Sequence, residues 1–253
     1  MQKVHKEIID YILQAGKRLQ KKSGKVADIG VIKKYLTHED VRIERDLKKI
    51  IKKFNSEHEL YSEEENFDLP NTKDVWVADP ISSTKCFIMG MPHYAIVVTQ
   101  LSGGKPQFAV VYDPTMNDLY VAFRGRGAYK NGKKIKVKKS DGDPSILFNF
   151  SYLYSDLNFG KEIFKKLLDF KLYKQHTSFA VGYCYVACGY FDAIVTLGKN
   201  SFPEYAGSLI IKEAGGIFCN EKGEDIKYDN RIFVGGEKKI VQKLLGLVKE
   251  TKK

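Results

Sequence analysis

The chain has 253 residues, 43% of them hydrophobic and 29% charged, a composition that excludes a disordered or fibrous protein and suits one large domain or two small ones. Lys and Arg exceed Asp and Glu by 42 − 31 = 11. That excess favours anionic partners such as phosphate esters, nucleic acid or an acidic membrane surface, without choosing among them. Along the chain, Val4, Ile8, Ile12, Ala15 and Leu19 fall at helical spacing, and a second amphipathic helix follows Thr37 and Asp40, with Ile43, Leu47, Ile50, Ile51 and Phe54 on one side. The acidic run Tyr61 to Glu65 and a loop through Pro70 lead to a strand at Val75–Ala78, which stops at Asp79-Pro80. Strands are predicted at 94–98, 108–112 and 119–122, and Asn131-Gly132 is a hairpin turn between Ala128-Tyr129 and 135–137. The first half thus reads as helices followed by an antiparallel meander.

The second half alternates. A strand at Ser145–Phe150 precedes a helix at Lys161–Leu168, a nearly all-apolar helix at 179–189 and a strand at Ala193–Leu197. An amphipathic helix at 206–214 stops at Gly215-Gly216, and a strand at 232–234 and a surface helix at 240–248 complete the chain. A composition shift near 139–144 divides an α+β half, residues 1–140, from an α/β half, residues 141–253, as two lobes of one compact unit. Cys86, Cys184, Cys188 and Cys219 form no zinc pattern and read as buried free thiols of a reducing cytosol. Residues 1–19 carry His5, Lys6, Glu7 and Asp10 where a signal peptide needs an apolar run. The apolar stretches are shorter than the roughly 18 residues of a membrane span. A cytoplasmic protein without membrane association is expected.

The chemistry centres on Asp79. A carboxylate at the end of a buried strand, followed by Pro80 and by Ser82-Ser83-Thr84 opening a new element, gathers oxygens and backbone N–H groups. Such a place suits a hard cation and the phosphate it neutralises, and Glu63 offers a second carboxylate. From spacing alone the plainer reading stands first: Glu63 to Glu65 as a solvated charge run and Asp79 as a turn residue.

The segment Trp76 to Thr84, with Phe87 to Pro92, resembles the first signature of the inositol monophosphatase family, W-x-x-D-P-[IL]-D-G-T followed by F-x-x-G-x-P. His58 to Glu65 resembles the family segment that carries a metal-binding Glu, and Thr37 to Asp40 its T-x-x-D. Gly125 to Ile135 is similar to its G-x-G-A-x-x-N-G hairpin, and 206–216 to its helix ending in E-A-G-G. The resemblance runs in family order over nearly the whole chain. It implies a layered α-β-α-β-α sandwich of the inositol monophosphatase and fructose-1,6-bisphosphatase type, a homodimer, and Mg²⁺-dependent hydrolysis of a small phosphorylated metabolite: a sugar, inositol or nucleotide phosphate.

By that resemblance Glu63, Asp79, the Ile81 carbonyl and Thr84 stand at the first metal site, Asp40 and Thr84 position the attacking water, and the amides of Ser83 and Thr84 bind phosphate. The departures are equally specific. Ser82 and Ser83 stand where the family has Asp and Gly, and Pro203 and Phe202 where it has the Asp and Trp of a later W-D motif. Both lost acids belong to a second metal position; Glu204, one residue on, is the candidate to substitute and the remaining substrate-side candidate beside Ser82. A family Glu that holds substrate hydroxyls aligns with Thr196, and the loop near His176-Thr177-Ser178 lacks the usual pattern. Loss of an oxyanion stabiliser costs about 3–4 kcal/mol, so a catalytically degenerate ligand- or partner-binding member is the alternative to a working phosphatase. Nucleic-acid binding, suggested by Lys130, Lys133, Lys134, Lys136, Lys138 and Lys139, is the least supported: lysines along a strand more often form a solvated edge. His93 reads as a satisfied structural histidine.

Overall fold

The computed structural model describes residues 2–31, 35–63, 74–139, 142–151, 156–174, 178–198, 202–227 and 229–252. Helices α1 (Lys3–Lys22) and α2 (His38–Phe54) open the chain. Their apolar stripes, Ile8, Ile12, Ala15 and Leu19 on one and Ile43, Leu47 and Ile51 on the other, close over one face of a seven-stranded sheet. There they meet Trp76, Ala78, Ile96, Val98, Phe108 and Val110. The sheet runs in sequence order through β1 (Glu59–Ser62), β2 (Val75–Ser82), β3 (Ala95–Ser102), β4 (Lys105–Asp113), β5 (Asp118–Phe123), β6 (Gly127–Lys130) and β7 (Lys133–Lys134), with the short helix α3 (Thr84–Ile88) leaving the end of β2. A second sheet is built from β8 (Ser145–Phe150), β9 (Lys171–Lys174), β10 (Ala193–Leu197), β11 (Ile217–Asn220) and β12 (Ile232–Gly236), in the order β11-β12-β10-β8-β9.

Between the sheets lie α5 (Phe179–Ala187) and α6 (Phe202–Glu213), whose Val181, Cys184, Ala206 and Ile210 share a core with Val77 and Val97 of the first sheet and Leu147, Ile194 and Phe233 of the second. The far face of the second sheet is covered by α4 (Leu157–Leu167) and α7 (Lys238–Thr251) through Ile163, Leu244 and Val248. Five layers result, α-β-α-β-α. Because both faces of each sheet are covered, β2 is buried at every residue and β10 likewise, which is why these strands read as near-continuous apolar runs.

Several boundaries differ from the sequence expectation. The first sheet is not a pure meander, since β1 pairs with β2 in parallel. The hairpin at Asn131 (φ 48°) and Gly132 (φ 78°) pairs first through Lys133–Lys134 and continues to Ile135, whose amide donates to the Ala128 carbonyl at 3.0 Å; beyond it Val137 leaves the hairpin and donates to the carbonyl of Ala214, 3.0 Å away. Helix α4 begins earlier than predicted because Asp156 caps it, accepting from the Phe159 amide at 2.9 Å. Helix α6 also begins earlier, at Phe202 rather than Ala206, since Pro203 lies in the first turn, where its fixed φ and missing N–H cost nothing. Strands β1, β9 and β11 were not predicted. Glu64, Glu65, the loop through Pro70, His176, Thr177 and part of the 139–144 boundary lie outside the described residues.

The closest approach of the two middle helices depends on Gly207, where a Cβ would fall inside the Tyr183 ring. Gly207→Ala is expected to push α5 from α6 and cost about 1–3 kcal/mol, the range for overpacking a filled core. Urea unfolding compared with wild type measures it; an unchanged midpoint would mean the ring moves freely.

Candidate functional site

The site begins where β2 ends. Asp79 still pairs with Val97 of β3, but Pro80 brings no N–H, and the register shifts before Ser82 pairs with Ala95. On the other side β1 runs parallel, with Ser62 opposite Ala78, and the Glu63 amide donates to the Ala78 carbonyl at 3.2 Å. Glu63 and Asp79 therefore follow directly from a paired position at the same end of neighbouring strands, and Asp79 is buried. Past the shift, Ser83 takes a left-handed turn (φ 69°) that starts α3. The turn brings the Thr84 hydroxyl to 2.7 Å from the Ile81 carbonyl and 3.4 Å from Asp40 Oδ1.

Asp40 arrives from α2 through its capping box. Its Oδ2 accepts from the Thr37 amide at 2.9 Å and the Thr37 hydroxyl at 2.6 Å, which leaves Oδ1 facing Thr84 in a fully buried setting. The structure thus links Asp40, Thr84 and Ile81 directly and sets Glu63 beside Asp79 along the backbone. Among the described residues no three His, Cys, Asp or Glu side chains converge on one point. The expected ligand set asks for less: two carboxylates and one main-chain carbonyl. Those all-oxygen donors fit Mg²⁺.

Ser82, Pro203 and Glu204 behave differently. The Ser82 hydroxyl accepts from the Ser178 hydroxyl at 2.9 Å, and the Ser178 amide donates to the His93 carbonyl at 3.0 Å. Ser178 precedes α5 without capping it by its side chain, so its hydroxyl is spent on Ser82. Pro203 offers no side-chain donor atom. Glu204 does not reach solvent: it is buried in the first turn of α6, with Oε1 accepting from the Tyr183 hydroxyl at 2.9 Å and Oε2 without a hydrogen-bond partner among the described residues. The Tyr183 oxygen also lies 3.0 Å from the Thr196 hydroxyl. Having one proton, Tyr183 donates to Glu204, and Thr196 donates to it in turn. His93 is bound through Nδ1 to Asp113 at 2.9 Å, the structural role expected of it.

Two members of this region carried no motif signal. Tyr183 lies in the nearly all-apolar helix predicted at 179–189 and Asn149 in the strand predicted at Ser145–Phe150, and neither was singled out from sequence as a site residue. Asn149 is fully buried, and among the described residues neither its Oδ1 nor its Nδ2 finds a partner. The signal available in the sequence was Asn149 itself, since Ser145–Phe150 is otherwise almost wholly apolar.

Burial pushes the Glu204 carboxyl up to about 8 from 4.5, with the charge of Glu63 adding to the rise and the Tyr183 hydrogen bond opposing it. The folded state therefore keeps this proton after the unfolded chain has released it. Its contribution to stability is greatest below about pH 4.5 and is lost as pH climbs towards 8, at up to about 1.4 kcal/mol per pH unit. Glu204→Gln keeps the acceptor for Tyr183 and has no charge to bury. It is expected to be the more stable protein at pH 8, with the difference shrinking towards pH 5. Urea unfolding of both proteins at pH 5, 6, 7 and 8 tests this, and parallel curves would disprove it.

Comparison with known proteins bears on the family and the fold. The model of the inositol monophosphatase family matches residues 1–253. A protein of Aquifex aeolicus named fructose-1,6-bisphosphatase/inositol-1-monophosphatase is 31% identical over 214 residues, 81% of each chain. The Nus factor SuhB of Escherichia coli K12 is 30% identical over 224 residues, 85% of this chain and 83% of the relative. Among solved structures, the IMPase of Thermotoga maritima superposes with a TM-score of 0.85 at 24% identity, covering 99% of this chain and 98% of its own, which supports the layered fold. Spanned from end to end by that family model and matched over most of its length by these relatives, the chain belongs to the inositol monophosphatase family.

Proposed function

We propose that the protein hydrolyses a small phosphate monoester with Mg²⁺. The observation that carries this reading is the junction at the end of β2, where parallel pairing sets Glu63 beside Asp79 while the Thr84 hydroxyl stands between the Ile81 carbonyl and Asp40. Membership in a family of metal-dependent phosphatases supports it. In this reading Glu63, Asp79 and the Ile81 carbonyl hold the ion. When bound, it supplies positive charge at the phosphoryl oxygens and lowers the pKa of a coordinated water. Thr84 and Asp40 orient that water: the Thr84 hydroxyl accepts from it and has two acceptors for its own proton, and Thr37 holds the Asp40 carboxylate in place. The amides of Ser83 and Thr84 and the Ser82 hydroxyl receive phosphate oxygens. The working unit is a homodimer in the cytoplasm, a compartment in keeping with four free cysteines.

One observation favours a second reading, a family member that binds a ligand or partner without turnover. Ser82 and Pro203 supply no carboxylate, and the Ser82 hydroxyl is already tied to Ser178.

Calorimetric Mg²⁺ titration, together with phosphate release from a panel of monoesters, separates the two. The phosphatase reading expects release that needs Mg²⁺ and falls at least about 10²-fold in Asp79→Asn, the scale of losing an electrostatic stabiliser. Metal binding without release would establish the second reading. Neither binding nor release would sink the site assignment and leave the family alone standing.

A further inference from the structure

The outer face of the second sheet holds a cavity that the β2 junction does not use. Helix α4 packs on that face by Phe159, Ile163 and Leu167, all buried. Beside them on the same helix Leu157, Lys161 and Phe164 form a second stripe at helical spacing, turned towards β8 and β9. Between stripe and strands lies a cavity of about 310 Å³, lined on the sheet side by Phe148, Phe150 and Lys174.

The register explains that wall. Phe148 pairs with Lys174 on parallel β8 and β9, two positions after Ile146 pairs with Leu172. Ile146, Phe148 and Leu172 pack in the outer layer, so Lys174 rises from the same face beside Phe148, on the edge strand of the sheet. Gly160 closes the inner end: a Cβ there would lie 2.7 Å from Phe150 Cε2, so glycine lets α4 approach this ring. The Phe148 ring stands 6.2 Å from that of Phe150 and 5.7 Å from that of Phe164, centroid to centroid. The three rings make one continuous apolar surface.

Size, lining and charge together say what fits. At about 30 Å³ for each water-sized group the cavity takes roughly ten heavy atoms, the small end of ligand pockets. Its body is aromatic, and Leu157 at its mouth is 55% exposed, apolar surface that a bound apolar group would remove from water. Lys161 and Lys174 are both exposed, and among the described residues neither has an ion-pair partner. Neighbouring acids are engaged elsewhere: Asp156 caps α4, and Glu162 binds Lys165 at 2.7 Å. No acid lines the cavity among the described residues. The lysine stems extend the apolar wall while their ammonium groups stay in water at the rim. A phosphate ester does not suit the place, because these two ammonium groups are the only side-chain donors among the described lining residues.

We propose that this cavity binds a small amphipathic carboxylate, its apolar body against Phe148, Phe150 and Phe164 and its charge between Lys161 and Lys174. The cavity lies across the second sheet from α5 and α6. Binding there needs no Mg²⁺ and does not rest on the phosphatase reading.

The test is calorimetric titration of the full chain, without Mg²⁺, with octanoate, octanol and acetate. Wild type is compared with Lys161→Gln/Lys174→Gln and with Leu157→Glu, all at exposed positions, and urea unfolding checks that each variant is folded. Wild type is expected to bind one octanoate saturably, octanol more weakly and acetate not at all. In the double variant octanoate affinity falls about fivefold, the scale of two exposed ion pairs, while octanol is unchanged. In Leu157→Glu, where a like charge stands at the mouth, octanoate loses more affinity than octanol. Absence of saturable octanoate binding, or binding that neither variant alters, would overturn the site. Acetate bound as tightly as octanoate, or an equal loss for octanol in the double variant, would overturn the amphipathic carboxylate as its ligand.

Discussion

The structure depends on the way β2 ends. Eight residues are buried on both faces of a sheet, and two of them, Asp79 and Ser82, are polar. A continuous ladder would leave a carboxylate and a hydroxyl locked in an apolar layer. Pro80 breaks the ladder between them, the register slips, and the chain turns through Ser83 into α3. The break converts a packing problem into a cluster of oxygens: a strand-end carboxylate, a main-chain carbonyl and the Thr84 hydroxyl, all positioned by backbone rather than by flexible side chains.

The same neighbourhood solves the burial of acids in three ways. Asp40 is neutralised in effect by the capping box, which spends a carboxylate on a helix start that needs one and holds it still. Asp79 stands at the strand end, beside the backbone of Glu63. Glu204 is answered by the Tyr183 phenol and a backbone N–H, and among the described residues by no cation, so burial forces it towards the neutral form. Which acid keeps its proton is thus fixed by what the backbone offers each one.

Much of this was legible in sequence. The stripes of α1 and α2 and the Thr37–Asp40 cap are local patterns, and local patterns determine them, whereas the strand expected to stop at Asp79-Pro80 runs on to Ser82 across a register shift. The strands β1, β9 and β11 escaped because each has four residues and takes its identity from a neighbour rather than from its own alternation. The start of α6 was legible and misread: proline in a first turn marks a helix beginning, yet here it was weighed only as a lost ligand. Asn149 could not be interpreted at all from its own segment. Its meaning comes from Thr196, its partner across the sheet, and from Tyr183 and Glu204, which reach Thr196 through a hydroxyl chain. A buried polar residue declares itself in sequence only as an exception, and what it serves is a property of the fold.

The divergent residues also act together. Replacing acids by Ser82 and Pro203 removes negative charge from a region that still holds Glu63, Asp79, Asp40 and Glu204 in close sequence or spatial succession. Had both acids been present, the anionic ester would face more repulsion unless further cations came with it. With them absent, burial and the charge of Glu63 push Glu204 towards its protonated state. The Ser82–Ser178 hydroxyl pair places neutral donors and acceptors there. The neutral residues at 82 and 203 thus act in the same direction, and an acid placed at either position would add negative charge to a region that already keeps one carboxyl protonated.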